Sequence, residues 1–224
     1  MKPIAYIRTD FSAKFGIPRQ SGLVSGLHGE IVFVPEYRNP DALRGLDGFS
    51  HIWLLWEFSE AKDHDFSLTV RPPRLGGNTR MGVFASRSPY RPNPIGLSCV
   101  RLVEIDNERE DGPVLIVDGA DLMNGTPIYD IKPYLPYTDS HPDAKTGYAG
   151  EVFEDRLTVC FPEDLQLILP PLLRASAVRL LRHDPRPSYQ DDPDRVYGMP
   201  YGGFDIRFKV EDDLLTVVSV EKLK

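Results

Sequence analysis

Only two of the 224 residues are cysteine, Cys99 and Cys160, and each lies inside an apolar run far from the other. Two thiols so placed exclude a disulfide-stapled scaffold and a zinc knuckle; they read as reduced core residues of a cytoplasmic protein. Long hydrophobic runs are missing too. The longest, HIWLLWEF, is too short to span a bilayer, and the opening MKPIAYIRTDF has no signal core, so a soluble protein with no membrane partner is expected. The five histidines make no HxH or HExxH spacing, and no metal is expected. Also absent are a GxSxG elbow, a Walker loop and a glycine-rich dinucleotide fingerprint, since the glycines of GLVSGLHG are too loosely spaced. These gaps argue against a serine hydrolase and a Rossmann sheet.

Charge of one sign is missing locally. The net charge is −7, yet no Asp or Glu occurs from Phe66 to Val103, where six arginines stand: Arg71, Arg74, Arg80, Arg87, Arg91 and Arg101. Either these pair with acidic residues elsewhere in the fold, or they meet an anionic ligand. The second reading rests on guanidinium geometry, which forks onto phosphate or carboxylate, and on the lack of lysine in the segment.

What is present is proline and glycine, 21 and 18 residues, between short runs rich in Val, Ile, Tyr and Phe, with 41% apolar residues to fill a core. That texture predicts strands: Ile4–Arg8, Glu30–Val34, a buried central SHIWLLWEF, FSLTV, MGVFA, the long IGLSCVRLVEI, PVLIVDG and PIYDI. A short helix around Pro40–Leu46 interrupts them, and the loop TDFSAKFGIPRQSGLVSGLHG is long but carries enough apolar residues to pack. About eight short strands without long helices between them predict a barrel or strongly curved sheet. The polar stretch Tyr137–Glu151 marks a boundary. Beyond it PEDLQLIL and PLLRASAVRLLRH have helical spacing, Pro171 starts the second helix, and FDIRFKV with LLTVVSVEKL forms a hairpin around Glu211–Asp213. The expected fold is therefore mainly β with a smaller α+β part: an N-terminal barrel over 1–138 and a small C-terminal domain over 139–224.

Two stretches carry a resemblance. ASRSPYRPNPIGLSCVRL (Ala85–Leu102) and DGADLMNGTPIYDIKPYLPYTD (Asp118–Asp139) are similar to the paired motifs of the TsaA-like, or TrmO, family of tRNA methyltransferases, and FGIPRQSGL, LDGFSHIWLLWEF and YGMPYGGFDIRFKV extend the similarity over most of the chain. The resemblance implies a single-sheet, non-Rossmann β-barrel and a homodimer. It implies S-adenosylmethionine-dependent methylation of N6 of threonylcarbamoyladenosine, at position 37 beside the anticodon of threonine tRNA. Matching motifs assign the cofactor to Pro18, Arg19, Gln20, Ser59, Glu60, Arg87, Leu97, Asp130, Ile131, Lys132 and Pro133. Ser59 and Glu60 are the weakest match, because relatives carry a histidine near that point.

Physically, Arg87 or Arg19 suits the methionine carboxylate, Asp130 the ammonium or a ribose hydroxyl, and Leu97 an adenine cleft. Asp130, Tyr90 and Tyr129 are the candidates for assisting proton removal, and Arg71, Arg74, Arg80 and Arg91 for the tRNA backbone. Two other readings stand beside this one: a barrel that binds tRNA or a nucleotide without turnover, and a cytosolic hydrolase using His51 or His28 with an aspartate. The sharpest expectation concerns one side chain: Arg87→Ala loses S-adenosylmethionine binding in calorimetry while the circular dichroism spectrum of the barrel is unchanged.

Overall fold

The computed structural model describes residues 1–61, 65–72, 75, 78–152, 157–186 and 192–223. Eight strands occupy the first part: β1 (Ala5–Thr9), β2 (His28–Phe33), β3 (His51–Glu57), β4 (Thr69–Val70), β5 (Met81–Gly82), β6 (Ile95–Asp106), β7 (Val114–Asp118) and β8 (Pro127–Pro133). Six of them close a barrel in the order β1, β2, β7, β6, β3, β8, every neighbour antiparallel. Alternation explains the wall: Ala5, Ile7, Ile31, Ile52, Leu54, Val100, Leu115, Val117 and Ile128 point inward and are buried, while their sequence neighbours face out. The remaining pair, β4 and β5, forms a two-residue ribbon in the long β3–β6 connection.

After a helical turn α1 (Pro136–Asp139), the chain builds a second, four-stranded sheet. Its members are β9 (Thr158–Cys160), β10 (Tyr197–Tyr201), β11 (Phe204–Glu211) and β12 (Leu214–Lys222), in the order β10, β11, β12, β9. A single turn α2 (Glu163–Gln166) and the helix α3 (Pro171–Arg182) accompany it. Proline begins α3 because its missing N–H is unneeded there, and Ala177, Leu180 and Leu181 bury one face against Met199, Tyr201, Ile206 and Phe208. The β11–β12 turn falls where the hairpin was expected, with Asp212 at φ 49.

The β1–β2 loop packs, as its apolar content suggests, but into the second core. Phe11, Val24 and Leu27 are each at most 2% exposed among the residues of the four-stranded sheet. The loop thus begins and ends on the barrel while its apolar anchors lie under the C-terminal sheet.

Several expectations need correction. SHIWLLWEF is not buried on both faces: only Ile52, Leu54 and Trp56 point inward, and the outward Trp53 and Leu55 are half-covered, because a barrel wall has one interior. The cysteines are not core residues. Cys99 lies on the outward row of β6 and is half-buried; Cys160 ends a three-residue edge strand and is exposed. The helix near Pro40–Leu46 divides into 3-10 turns at Pro40–Leu43 and Leu46–Gly48, separated by Gly45 at φ +84, a left-handed value that ends any helix. FSLTV and MGVFA pair only through β4 and β5. Strands β9 and β10 were not foreseen.

Phe11→Ala is expected to cost about 3–5 kcal/mol, the range for an aromatic removed from a packed core. Urea unfolding followed by circular dichroism measures it.

Candidate functional site

Antiparallel closure fixes which loops meet. β1, β3 and β7 end, and β2, β6 and β8 begin, at the same rim of the barrel. The connections 10–27, 58–94 and 119–126 therefore gather over one mouth, and between them lies a cavity of about 570 Å³. Pro18, Arg19 and Gln20 line it from the first loop; Ser59, Glu60, Arg87, Tyr90 and Arg91 from the second; Leu97 from the start of β6.

Hydrogen bonds hold the first loop to this rim. Gly22 N–H donates to the Gly119 carbonyl at 2.9 Å, and Gly119 N–H donates to Leu27 at 3.0 Å. The Gly26 N–H reaches Asp118 Oδ1 at 2.7 Å, and the Cys99 N–H reaches Ser21 Oγ at 3.1 Å. Gly119 has φ +80, and a side chain there would meet the Gly22 backbone at 3.1 Å, so glycine is required for the close approach. At the loop tip Arg87 donates to the Gln20 amide oxygen, and Arg19 Nη2 donates to the Arg186 carbonyl at 3.1 Å.

The second loop is stiffened from within. Arg91 Nη1 donates to the carbonyls of Ser86 (3.1 Å) and Ser88 (3.3 Å), and the Ser86 hydroxyl donates to Val83 (2.8 Å). Phe58 N–H donates to the Pro94 carbonyl at 2.8 Å, tying the proline run to the end of β3. Proline removes donors at positions where the ladder does not need them. Lys14 and Glu60 form an ion pair at 2.8 Å across the mouth.

The floor holds residues that the sequence reading missed. Trp56, 7% exposed, donates its indole N–H to Ser98 Oγ at 2.9 Å, and the Ser98 hydroxyl donates to Asp121 Oδ1 at 2.6 Å. Burial pushes the Asp121 carboxyl above the usual carboxylate range, while the Ser98 hydroxyl, its own N–H, the Ser21 N–H and the Arg87 charge pull the other way. Gly96 lies flat against the Trp56 ring: a Cβ would sit 2.2 Å from Cε2. Only their place inside quoted motif runs marked these residues: Ser98 and Asp121 lie in the two longer runs and Trp56 in LDGFSHIWLLWEF.

Other site candidates lie elsewhere. Asp130, Ile131, Lys132 and Pro133 do not line the cavity. They occupy β8, where Asp130 is level with Leu55 of β3, itself level with Leu97 of β6, which separates Asp130 from Leu97 by two strand spacings, about 10 Å. Asp130 pairs with Lys132 at 2.8 Å and accepts the Ile131 N–H at 2.9 Å. Tyr129 donates its hydroxyl to Glu57 Oε2, a cavity residue, at 2.6 Å. Burial first, and that contact second, push the phenol up to about 12, so it keeps its proton at neutral pH. Arg71 lines a larger groove of about 2010 Å³ that adjoins the cavity and shares Arg19, Gln20, Arg87 and Tyr90 with it. Arg80 donates to Thr69 Oγ1 at 3.3 Å; Arg74 is outside the described residues. Among the described residues no group of three His, Cys, Asp or Glu side chains is placed to hold a metal, and no helix is long and apolar enough to cross a membrane.

A family model for the tRNA-methyltransferase O N-terminal domain matches residues 6–140, and one for the TrmO C-terminal domain matches residues 161–223. The chain is 40% identical to the tRNA (adenine(37)-N6)-methyltransferase of Escherichia coli K12, over 97% of this chain and 96% of that one. A Pseudomonas aeruginosa relative, 39% identical over 98% of this chain and 96% of its own, bears a name that assigns it provisionally to the S-adenosylmethionine-dependent methyltransferases. The crystal structure of TrmO from P. aeruginosa superposes with a TM-score of 0.78 at 33% identity, covering 98% of this chain and 95% of that one.

Gly96→Ala tests the floor. The added methyl must displace the Trp56 ring, so a loss of about 1–3 kcal/mol is expected in urea unfolding, together with a changed near-ultraviolet tryptophan signal.

Proposed function

The chain belongs to the tRNA-methyltransferase O family, and on that premise we propose that it methylates N6 of threonylcarbamoyladenosine, at position 37 of threonine tRNA, with S-adenosylmethionine as methyl donor. The observation that carries this reading is convergence. Pro18–Gln20, Ser59–Glu60, Arg87 and Leu97, from three separate segments, line one cavity. Its volume suits a small-molecule ligand, and its lining fits this one: apolar Trp56, Phe58, Ile95 and Leu97 for the adenosine, guanidinium groups of Arg19 and Arg87 for a carboxylate, and Glu57 and Glu60 for positive charge.

When bound, S-adenosylmethionine supplies an electrophilic methyl group. The protein's share is position. Arg87, held beside Gln20, offers a fork to the methionine carboxylate. The stiff proline loop limits the conformational entropy lost on binding. Fixing acceptor and donor in near-attack geometry supplies roughly 7–11 kcal/mol toward the barrier. Tyr90, at the shared rim of cavity and groove, presents its ring to an incoming base, and stacking there is worth roughly 1–3 kcal/mol. Arg71, which shares the groove with the exposed ring of Phe84, and Arg80, bonded to Thr69 of that groove, suit the anticodon loop and its phosphates. Arg91, spent on loop carbonyls, serves the tRNA mainly by holding that loop.

A homodimer, as the family resemblance implies, would give Asp130 and Lys132 a use. Asp130 and Lys132 lie on the outer row of β8, level with Leu55 and Trp53 of β3 and near exposed Leu97 of β6, whereas Ile131 packs toward the barrel core opposite Leu54. A second copy seated on this face would bring its own Asp130 and Lys132 to the cavity rim. Residues 1–138 would form the catalytic barrel domain and 139–224 the smaller domain of a cytoplasmic enzyme; the gap between β8 and β9 supports that division, although the second core also takes in Phe11, Val24 and Leu27 of the first segment.

Mass spectrometry of nucleosides from threonine tRNA incubated with protein and S-adenosylmethionine tests the reading. The expected result is a one-methyl mass increase on threonylcarbamoyladenosine, falling steeply with added salt. Cofactor bound, correct tRNA present and no mass increase would leave only a binding module.

A further inference from the structure

We propose that Asp121 is the catalytic residue that accepts the N6 proton during methyl transfer, and that Ser98 and Trp56 position it. The inference rests on the methyltransferase reading above and concerns a part of the site outside the residues matched there. The cavity has one carboxylate set into its floor. Asp121 lines the cavity, and behind it stands a chain with one direction: Trp56 indole N–H to Ser98 Oγ, Ser98 O–H to Asp121 Oδ1. Ser98 is 1% exposed, so its single proton has no competing water. The indole has no acceptor atom, and the ring is locked flat by Gly96. The chain therefore donates hydrogen bonds toward Asp121 and offers it no acceptor; a proton gained by Asp121 leaves by way of the cavity it lines.

That is the arrangement a proton acceptor needs. In the transfer, the bond between sulfur and the methyl carbon breaks with its electron pair remaining on sulfur. The N6–carbon bond forms from the nitrogen's pair, and the N6 proton passes to the Asp121 carboxylate, which becomes a carboxylic acid and later loses the proton to water. The carbamoyl group on N6 makes its proton more acidic than that of plain adenosine, so a carboxylate with raised basicity is adequate. Burial supplies that basicity.

The alternatives are committed elsewhere. Asp130 is ion-paired to Lys132 and does not line the cavity; Tyr129 keeps its proton; Glu57 is engaged by the Tyr129 hydroxyl. The charged side chains facing the same space are Lys14, Arg19, Arg87, Arg91, Glu57 and Glu60, and of these Arg87 acts on Asp121 by its charge, favouring the carboxylate.

The sign of the pH dependence follows. The reactive form is the carboxylate, so turnover falls as pH drops through the Asp121 pKa, and this fall lies higher than for an ordinary carboxylate. Removing the Ser98 hydroxyl removes a donor that favours the carboxylate, so the fall moves to higher pH still.

The test uses the full-length protein, threonine tRNA and S-adenosylmethionine. Asp121→Asn is expected to bind S-adenosylmethionine within about threefold of wild type in calorimetry, to lose on the order of a hundredfold in kcat, and to lose the acid limb of the pH–rate profile. Ser98→Ala is expected to fold and to shift that limb upward. In the protein without cofactor, the indole N–H resonance of Trp56, one of two tryptophans, is expected to titrate with the midpoint of the limb and to stop titrating in Asp121→Asn. The Trp53 indole, bonded to Asp139 at 2.9 Å, serves as the internal control. An Asp121→Asn enzyme with more than half the wild-type kcat overturns the proposal, as does loss of cofactor binding, which would make Asp121 an anchor. Should Asp121→Asn fail to fold, a Ser98→Ala limb at the wild-type midpoint overturns it. Wild-type protein without methylation overturns the functional reading as well, whereas active wild type with an equally active Asp121→Asn overturns only this assignment.

Discussion

The burial of Phe11, Val24 and Leu27 beneath the C-terminal sheet is the contact on which the site depends. A barrel mouth framed by three loops has no intrinsic shape, because each loop could adopt many arrangements at similar free energy. Here the first loop is drawn over the rim by apolar side chains in one core and tied down by hydrogen bonds to Gly119, Asp118 and Cys99 at the other. Between those anchors, Pro18, Arg19 and Gln20 have little freedom. The C-terminal sheet thus shapes the cavity without contributing a strand to it, and Arg186 touches Arg19 directly.

The second loop reaches the same end by different means. Its buried apolar residues Val83 and Ala61 belong to neither main core, and its rigidity comes from proline and from Arg91 bonding two carbonyls of its own loop. The arginine-rich, acid-free segment therefore splits into two uses. Arg91 and Arg101 are structural, the latter paired with Asp118 at 3.2 Å, whereas Arg87 turns toward the cavity and Arg71 toward the adjoining groove.

How much of this was legible depended on the range of the signal. Strand alternation in the barrel, the proline that starts α3 and the β11–β12 turn are local patterns, and they emerged where expected. β9 was not legible because three residues are too few for a period, and β10 because its sequence YGMPY reads as a turn; Pro200 is tolerated since β10 is an edge strand. Motif matching named Pro18, Arg87 and Leu97, which line one cavity, but it could not say that Asp130 lies two strands away from Leu97 on the outer face of β8. Trp56, Ser98 and Asp121 meet through long-range pairing of β3, β6 and β7. Trp56 and Ser98 are neighbours across the β3–β6 ladder, in register with Gly96 and Leu54, and Asp121 arrives from a loop whose position no period encodes.

The seam that closes the barrel has a further consequence. β1 joins β8 through only two residue pairs, Ala5 with Ile128 and Tyr6 with Pro127, and these partners are separated by nearly the whole sequence of the barrel. Loop-closure entropy makes so distant a pairing late and slow. During synthesis the first strand waits for the eighth, and the three loops acquire a common rim only when that seam zips. The loop that carries Pro18–Gln20 must wait longer, since its apolar anchors need the last two strands of the chain. Completion of the pocket therefore draws on contacts between segments at opposite ends of the chain.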